Sequence, residues 1–338
     1  EEYLTFLDEK YLSSYETLEV DSAIPLQKPF DKKRCVKREY SVMEDDIAEN
    51  ETYLTYNIAM GSSLDRELYI AMDVLVHVLC SDPGSPVKQA LVDAGIGDEV
   101  YSYSETGIAQ PYFSITAKNA SSAQQEQFVS IIEEELQKIV KHGIDRKALL
   151  ATLNEFEFRY READFGGYPK GLMYGLQIFD SWLYDENKPF IHIEANDTLA
   201  VLKEKIETSY YEDLVQKYFI DNRHKAVVVV EPVPGLTGKK EEELADRLAA
   251  IKDRMTEEKQ AVVDATKALH AYQQEPSTKE DLAKIPLLKR EDMKKEAAAY
   301  VNEERGSKEA PVLYHNIFTN GIGYLNLVFD ASHVQARL

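Results

Sequence analysis

Histidine, cysteine and carboxylate spacing are where chemistry would first show in a chain of this kind. The seven histidines are His77, His142, His192, His224, His270, His315 and His333, and no two lie within five residues of each other. Neither H-E-x-x-H nor its inverted form H-x-x-E-H can therefore be built, so the cheapest zinc site, two histidines on one helix face, is missing. His192-Ile193-Glu194 has the H-x-E spacing of zinc deaminases. The P-C-x-x-C that must follow cannot exist, because the last cysteine is Cys80. The bland reading, structural or surface histidines, holds at each position.

Nucleophiles and phosphate loops fare no better. G-x-S-x-G is absent, and Gly61-Ser62-Ser63 stands at an expected strand-to-helix turn where serine serves turn and capping chemistry. Gly166 to Gly171 has the glycines of a phosphate loop but follows a helix and lacks G-K-[ST], which makes it a helix–helix turn with Lys170 exposed. The densest charged cluster is Glu155 to Glu162. Glu155 with Arg159, Glu157 with Arg161, and Arg159 with Glu162 are spaced as helix-surface pairs, each contributing about 0.2–0.5 kcal/mol. The sharper alternative, an autonomous hydrolase using these carboxylates, requires Glu162→Gln to abolish activity without unfolding. Lys32, Lys33, Arg34, Lys37 and Arg38 read as a solvated linker rather than an anion site. No catalytic, cofactor-binding or metal-ligating residue is assigned.

Composition narrows the function classes. The chain has 338 residues, 39 Lys and Arg against 60 Asp and Glu, a net charge of −21 and 44% apolar residues. That is a globular composition of about two domains. Phosphate neutralisation needs a basic face, so nucleic acid is excluded as a partner and basic or amphipathic peptides are favoured. The longest apolar stretches, such as Ala226 to Val230, are strand-sized, so no membrane span is expected. Two cysteines, Cys35 and Cys80, are too few for a disulfide framework and fit a reducing compartment. The first residue is Glu1, so the lack of a signal peptide carries no information.

The elements that must hold any site follow from periodicity. Asp21 to Lys37, with two prolines and five basic residues, reads as an extended linker. Thr52 to Met60 alternates Leu54, Tyr56, Ile58 and Met60 on one face of a strand. Leu64 to Leu79 keeps a helical stripe, Pro86 opens a short helix, and Glu99–Ser104 and Tyr112–Ala117 are strands that can pair as a hairpin. Ser121 or Ser122 caps a helix ending at Gly143, where a left-handed cap belongs. Asp145 begins another that runs to about Ala163. Helices follow over Leu172–Leu183 and Thr198–Phe219. Lys225 to Glu231 reads as a buried central strand stopped by Pro232 and Pro234. After Gly235 a heptad-compatible stripe, Leu244 to Leu269, predicts a long helical arm broken near Thr256. Val312–Tyr314 and Tyr324–Phe329 are two further strands around Asn320-Gly321.

The order of several stretches carries a resemblance: "LDEKYLSSYETLEVDSAIPLQKPF" (7–30), "DPGSPVKQALVDAGIGDEV" (82–100), "NEFEFRYREADFGGYPKGL" (154–172), "SWLYDENKPF" (181–190), "ALHAYQQEPSTKEDLAKIPLLKREDM" (268–293) and "LYHNIFTNGIGYLNLVFD" (313–330). Together they resemble the presequence-protease subfamily of the insulinase/pitrilysin zinc metallopeptidases. The resemblance implies an α+β fold: an insulinase-like domain with a mainly antiparallel sheet packed by helices, then a helical hairpin and the opening strands of a further domain. On that pattern residues 1–35 end a preceding domain and its linker, 36–232 form a non-catalytic domain, 233–305 the hairpin connector and 306–338 the start of the next domain. The family's zinc ligands stand on an inverted motif that this chain lacks. The resemblance thus implies no cofactor in this chain, Zn2+ in the parent enzyme, and an inactive piece lining a peptide chamber. The implied partners are the parent's remaining domains and unfolded peptides, in the cytoplasm or an organelle matrix. The rival reading is a protein-interaction module that binds partner helices along the Leu244–Leu269 stripe.

Overall fold

The computed structural model describes all residues except 24, 44–49, 256–257, 298 and 334–338. Its centre is a five-stranded sheet in the order β1-β5-β2-β4-β3. The strands are β1 (Arg34–Val42), β2 (Thr52–Ala59), β3 (Glu99–Glu105), β4 (Tyr112–Ala120) and β5 (Lys225–Pro234). Only the β1–β5 pairing is parallel; β5–β2, β2–β4 and β4–β3 are antiparallel. The fold class is α+β, as the sequence implied.

Alternation decides which face is covered. Leu54, Tyr56 and Ile58 stand opposite Val229, Val227 and Lys225 on one side and Ala117, Ile115 and Phe113 on the other, and all of these are buried. Against this row pack α2 (Arg66–Val76) and α4 (Gln125–His142). Asp65 caps α2 by accepting the Leu68 N–H at 3.0 Å, and the helix is buried almost all round through Leu68–Met72 and Val74–Val76. Ser121 builds a capping box with Gln124 ahead of α4, whose Phe128, Ile132, Leu136 and Ile139 face the core. Asp145 caps α5 (Arg146–Glu162) by accepting from Lys147 and Ala148 N–H. The short α3 (Pro86–Asp93) precedes the turn into β3. There Gly97 has φ 69°, and a side chain would lie 2.5 Å from the Lys118 carbonyl oxygen.

Several expectations are corrected. The linker reading fails from Arg34 onward, because Arg34–Val42 pairs with β5 as an edge strand whose mostly exposed side chains give no alternation. β5 runs through both prolines. Gly235 N–H donates to the Val42 carbonyl, so Pro232 and Pro234 turn their nitrogens toward the side where pairing with β2 has ended at Tyr53. β5 is also only half buried on its second face. Gly143 has φ 89° and ψ 162°, extended rather than left-handed helical, and Ile144 N–H is taken by Glu212 Oε1 at 3.0 Å. The helix expected over 198–219 is interrupted: α7 (Ala195–Glu204) gives way at extended Thr208 before α8 (Tyr210–Leu214). α6 (Lys170–Trp182) forms, yet Leu172, Leu176, Phe179, Trp182 and Leu183 stay exposed.

The arm consists of α9 (Leu236–Arg254) and α10 (Glu258–Gln274), with Met255 extended between them and Thr256 outside the described residues. Its apolar stripe is exposed. α11 (Lys279–Ala283) follows, then a hairpin of β6 (Glu303–Gly306) and β7 (Pro311–Tyr314). The strand expected over Tyr324–Phe329 is not formed. A strand needs a neighbouring backbone to bond, and here Leu325, Leu327, Val328 and Phe329 point into solvent.

Asp73 and His192 are titratable groups drawn into the interior, as Lys225 is. Asp73 on α2 accepts from Ser104 Oγ at 2.6 Å, and burial nonetheless pushes its carboxyl up to about 6. His192 is buried, stacks on Tyr69 with centroids 3.7 Å apart, and is pushed down to about 4 by burial.

Leu153, 0% exposed on α5, and Leu248, 53% exposed on α9, separate core from arm. In urea unfolding Leu153→Ala is expected to cost about 2–5 kcal/mol and Leu248→Ala no more than about 0.5 kcal/mol; equal losses would contradict this packing. Asp73 holds its proton in the folded state between pH 3.8 and about 6, so it costs stability as pH rises through that window. Asp73→Asn should therefore match the wild type near pH 4 and exceed it in urea midpoint at pH 7.5. His192 acts oppositely, taking its proton only when unfolded between about 4 and 6.5, but it is common to both proteins and cancels in the comparison.

Candidate functional site

The residues singled out by spacing are scattered by the fold. His192 and Glu194 do not converge: Glu194 pairs with Arg66 at 3.3 Å, while His192 lies under Tyr69. His77 Nδ1 lies 3.5 Å from Asp82, His224 meets Phe30 edge-on, and His315 Nδ1 is 3.0 Å from the Val301 carbonyl. Cys80 is buried, which raises its thiol pKa, and Cys35 is exposed with Gln125 Nε2 at 3.3 Å. Among the described residues no group of three or more His, Cys, Asp or Glu side chains could hold a metal ion. The residues present therefore do not fit the zinc that the resemblance implies for the parent.

The 155–162 carboxylates are engaged as a helix surface. Glu155 pairs with Arg159, and Glu157 with both Arg161 and Lys203, which together lower the Glu157 pKa. Glu162 takes no pair with Arg159; it accepts the Tyr324 hydroxyl at 2.7 Å. Lys170 donates to the Glu162 carbonyl at 3.1 Å, so the glycine-rich segment is a turn joining α5 to α6. The basic run is distributed along the sheet edge: Lys33 to Glu133 at 2.7 Å, Lys37 to Glu231 at 3.1 Å, and Arg34 over the Phe30 ring at 4.2 Å.

What the fold assembles was not visible as a motif. On the sheet face opposite the core, Tyr53, Thr55 and Asn57 of β2 lie beside Val228 and Val230 of β5 and Ser114 of β4, all partly accessible. Exposed Tyr101 and Tyr103 extend that face on the edge strand β3. It is a surface of hydroxyls, an amide and aromatic rings without a helix-period signal. Where β3 meets the edge of the core, carboxylates from three distant segments gather. Asp180 accepts Tyr69 Oη at 2.7 Å, Glu105 accepts Tyr103 Oη at 2.7 Å, and Asp73 is held by Ser104. Burial raises the Asp180 carboxyl pKa, and the Glu105 charge raises it further. These residues come from α6, β3 and α2, and nothing in their sequence spacing links them.

This surface holds, among the described residues, no nucleophile–base pair and no metal centre. Among the described residues no helix is long and apolar enough to cross a membrane.

Comparison with known proteins identifies two family regions in the chain. The family model of the Peptidase M16 inactive domain matches residues 1–156, and that of the region associated with subfamily C of Peptidase M16 matches residues 230–338. The chain is 36% identical to Protein HypA of Clostridium perfringens (strain 13 / Type A), covering 100% of this chain and 35% of that protein. It is 29% identical to Presequence protease 1, chloroplastic/mitochondrial, of Arabidopsis thaliana, over 94% of this chain and 30% of that protein. The chain thus spans about a third of the length of the curated relatives it matches. The first half of the periplasmic protease PqqL from Escherichia coli aligns with a TM-score of 0.48 at 13% identity, covering 68% of this chain and 48% of that one. The two family models together match more than three quarters of the residues, and the chain belongs to the M16 metallopeptidase family as an inactive peptidase domain, followed by the subfamily C associated region, of a presequence-protease-like protein.

Proposed function

We propose that this chain is an internal, non-catalytic part of a peptide-degrading zinc metalloendopeptidase. Residues 36–232 form part of the wall of its peptide chamber, 233–305 act as hinge and spacer between its halves, 1–35 end the preceding domain, and 306–338 open the next. The zinc and the catalytic residues belong to other parts of the parent, which works in the cytoplasm or an organelle matrix. The observation that carries this reading is the half-covered sheet: helices pack one face, and the other offers hydroxyls and tyrosines to an extended chain. Such groups hydrogen-bond peptide without selecting sequence. The net charge of −21 would draw unfolded basic peptides by long-range steering. Exposed apolar residues on α1 (Glu2–Lys10) and at 324–329 suit seats for the parent's other domains.

The exposed Leu244–Leu269 stripe favours the alternative, in which the arm binds helices of separate proteins. A stoichiometric complex that persists after the parent's peptidase is inactivated, with no effect of this chain on peptide turnover, would favour that alternative.

Two outcomes are expected. The chain alone, equilibrated with zinc and desalted, should retain no metal and leave an unstructured basic peptide intact. Stoichiometric zinc with chelator-sensitive cleavage would overturn the non-catalytic assignment. In the intact parent, Thr55→Arg on the open face should raise KM for a long basic peptide several-fold while zinc content and turnover of a short reporter peptide stay unchanged. An unaltered KM for the long peptide would remove this face from the chamber wall.

A further inference from the structure

Between the last turns of α5, the 163–169 loop and α6 lies a cavity of about 440 Å³. Five aromatic rings line it, Tyr69, Phe156, Tyr160, Phe165 and Tyr174, together with the carboxylate of Asp180. Ring contacts hold several of these side chains in place. Tyr69 is backed by the neutral His192 ring at 3.7 Å, and Phe165 meets Tyr174 edge-on at 5.6 Å. Asp180 is held by Tyr69 Oη at 2.7 Å, and Gly107 allows the β3–β4 loop to close on it, since a side chain there would fall 2.7 Å from Asp180 Oδ1.

The charge balance of this cavity is unusual. Asp180 has no cation beside it among the described residues; the charge that acts on it is that of Glu105, which raises its pKa further. Among the described lining residues the cation is Arg159, and it is committed to Glu155. Arg159 also lies over the Phe156 ring at 5.7 Å, so one wall already accepts the face of a guanidinium. Aromatic faces attract cations through the ring quadrupole, and a partly buried carboxylate whose hydrogen-bond partner is a neutral hydroxyl gains most from a cation. An uncharged apolar ligand would leave that carboxylate desolvated without a counter-charge.

We propose that this cavity is a binding site for one basic side chain, lysine or arginine, of an extended peptide, with the aromatic rings flanking its stem and cation and Asp180 taking the charge. The volume accommodates that side chain with its adjoining backbone. The cavity lies among the helices rather than on the open sheet face, so it offers a second local contact to the peptides that the chain's net charge attracts, and in that respect it rests on the function proposed above.

The test titrates this chain with an N-acetylated, C-amidated Gly-Ser peptide bearing one arginine, its citrulline counterpart, and N-acetylarginine amide, read by calorimetry and tyrosine resonances. The arginine peptide is expected to bind one to one, at least fivefold more tightly than the citrulline peptide. Asp180→Asn should remove that preference, and Tyr174→Ala, on the partly exposed wall, should weaken both peptides; thermal melts check that each variant is folded. Equal affinity for arginine and citrulline overturns the proposal. Arginine-peptide binding that neither variant weakens also overturns it, while leaving the chamber-wall reading intact. Binding of N-acetylarginine amide, lost in Asp180→Asn, without binding of the peptide overturns the peptide site and leaves the chamber-wall reading intact. No binding of any ligand overturns the site.

Discussion

The rest of the structure depends on the row of side chains that β2 and β5 turn to one side. Leu54, Tyr56, Ile58, Val227 and Val229 form a continuous apolar surface only because the antiparallel register sets them opposite one another. A slip of one residue would place Tyr53, Thr55 and Asn57 in the core and expose the apolar set. Each fully buried aliphatic or aromatic side chain in this row contributes about 1.5–3 kcal/mol, so the register is specified by a large energy gap. α2 is the element that this surface buries most completely, and α2 carries both Tyr69 and Asp73.

Burying α2 draws polar groups in with it. Asp73 and Tyr69 point to the edge of the core, where β3 and α6 supply Ser104 and Asp180 as partners. Each hydrogen bond offsets part of the desolvation cost without cancelling it, which is why the carboxyl pKa values stay raised. His192 completes the arrangement from the far side of Tyr69 as a neutral ring. A polar cluster of this kind limits how closely α6 can approach, and the exposed apolar residues of α6 accompany a cavity rather than a sealed interface.

Where no such surface exists, elements form without being packed. α9 and α10 are helical by composition, rich in Ala, Glu, Lys and Leu, yet their stripe meets solvent. The β6–β7 hairpin satisfies its own backbone, whereas Tyr324–Phe329, equally apolar in pattern, lacks a neighbour and stays irregular. Helices close their hydrogen bonds internally and strands cannot, and the C-terminal third of the chain follows that difference.

The sequence by itself determined the elements whose stabilising information is local: the alternation of β2, the helix starts at Ser121 and Asp145, the helical stripes, and the order of segments that carries the family. Its spacing also sorted Glu155 and Glu157 correctly as surface pairs. It did not reveal β1, because an edge strand whose residues are exposed or only partly buried has no clear period to read, nor the passage of β5 through two prolines, which depends on where β2 stops. Only the tertiary structure decided which polar residues meet. Tyr69, Asp73, Glu105 and Asp180 span more than a hundred positions and share no spacing rule; the sheet register and the depth at which α2 is buried bring them together, because desolvated polar groups must find partners wherever the packing leaves them.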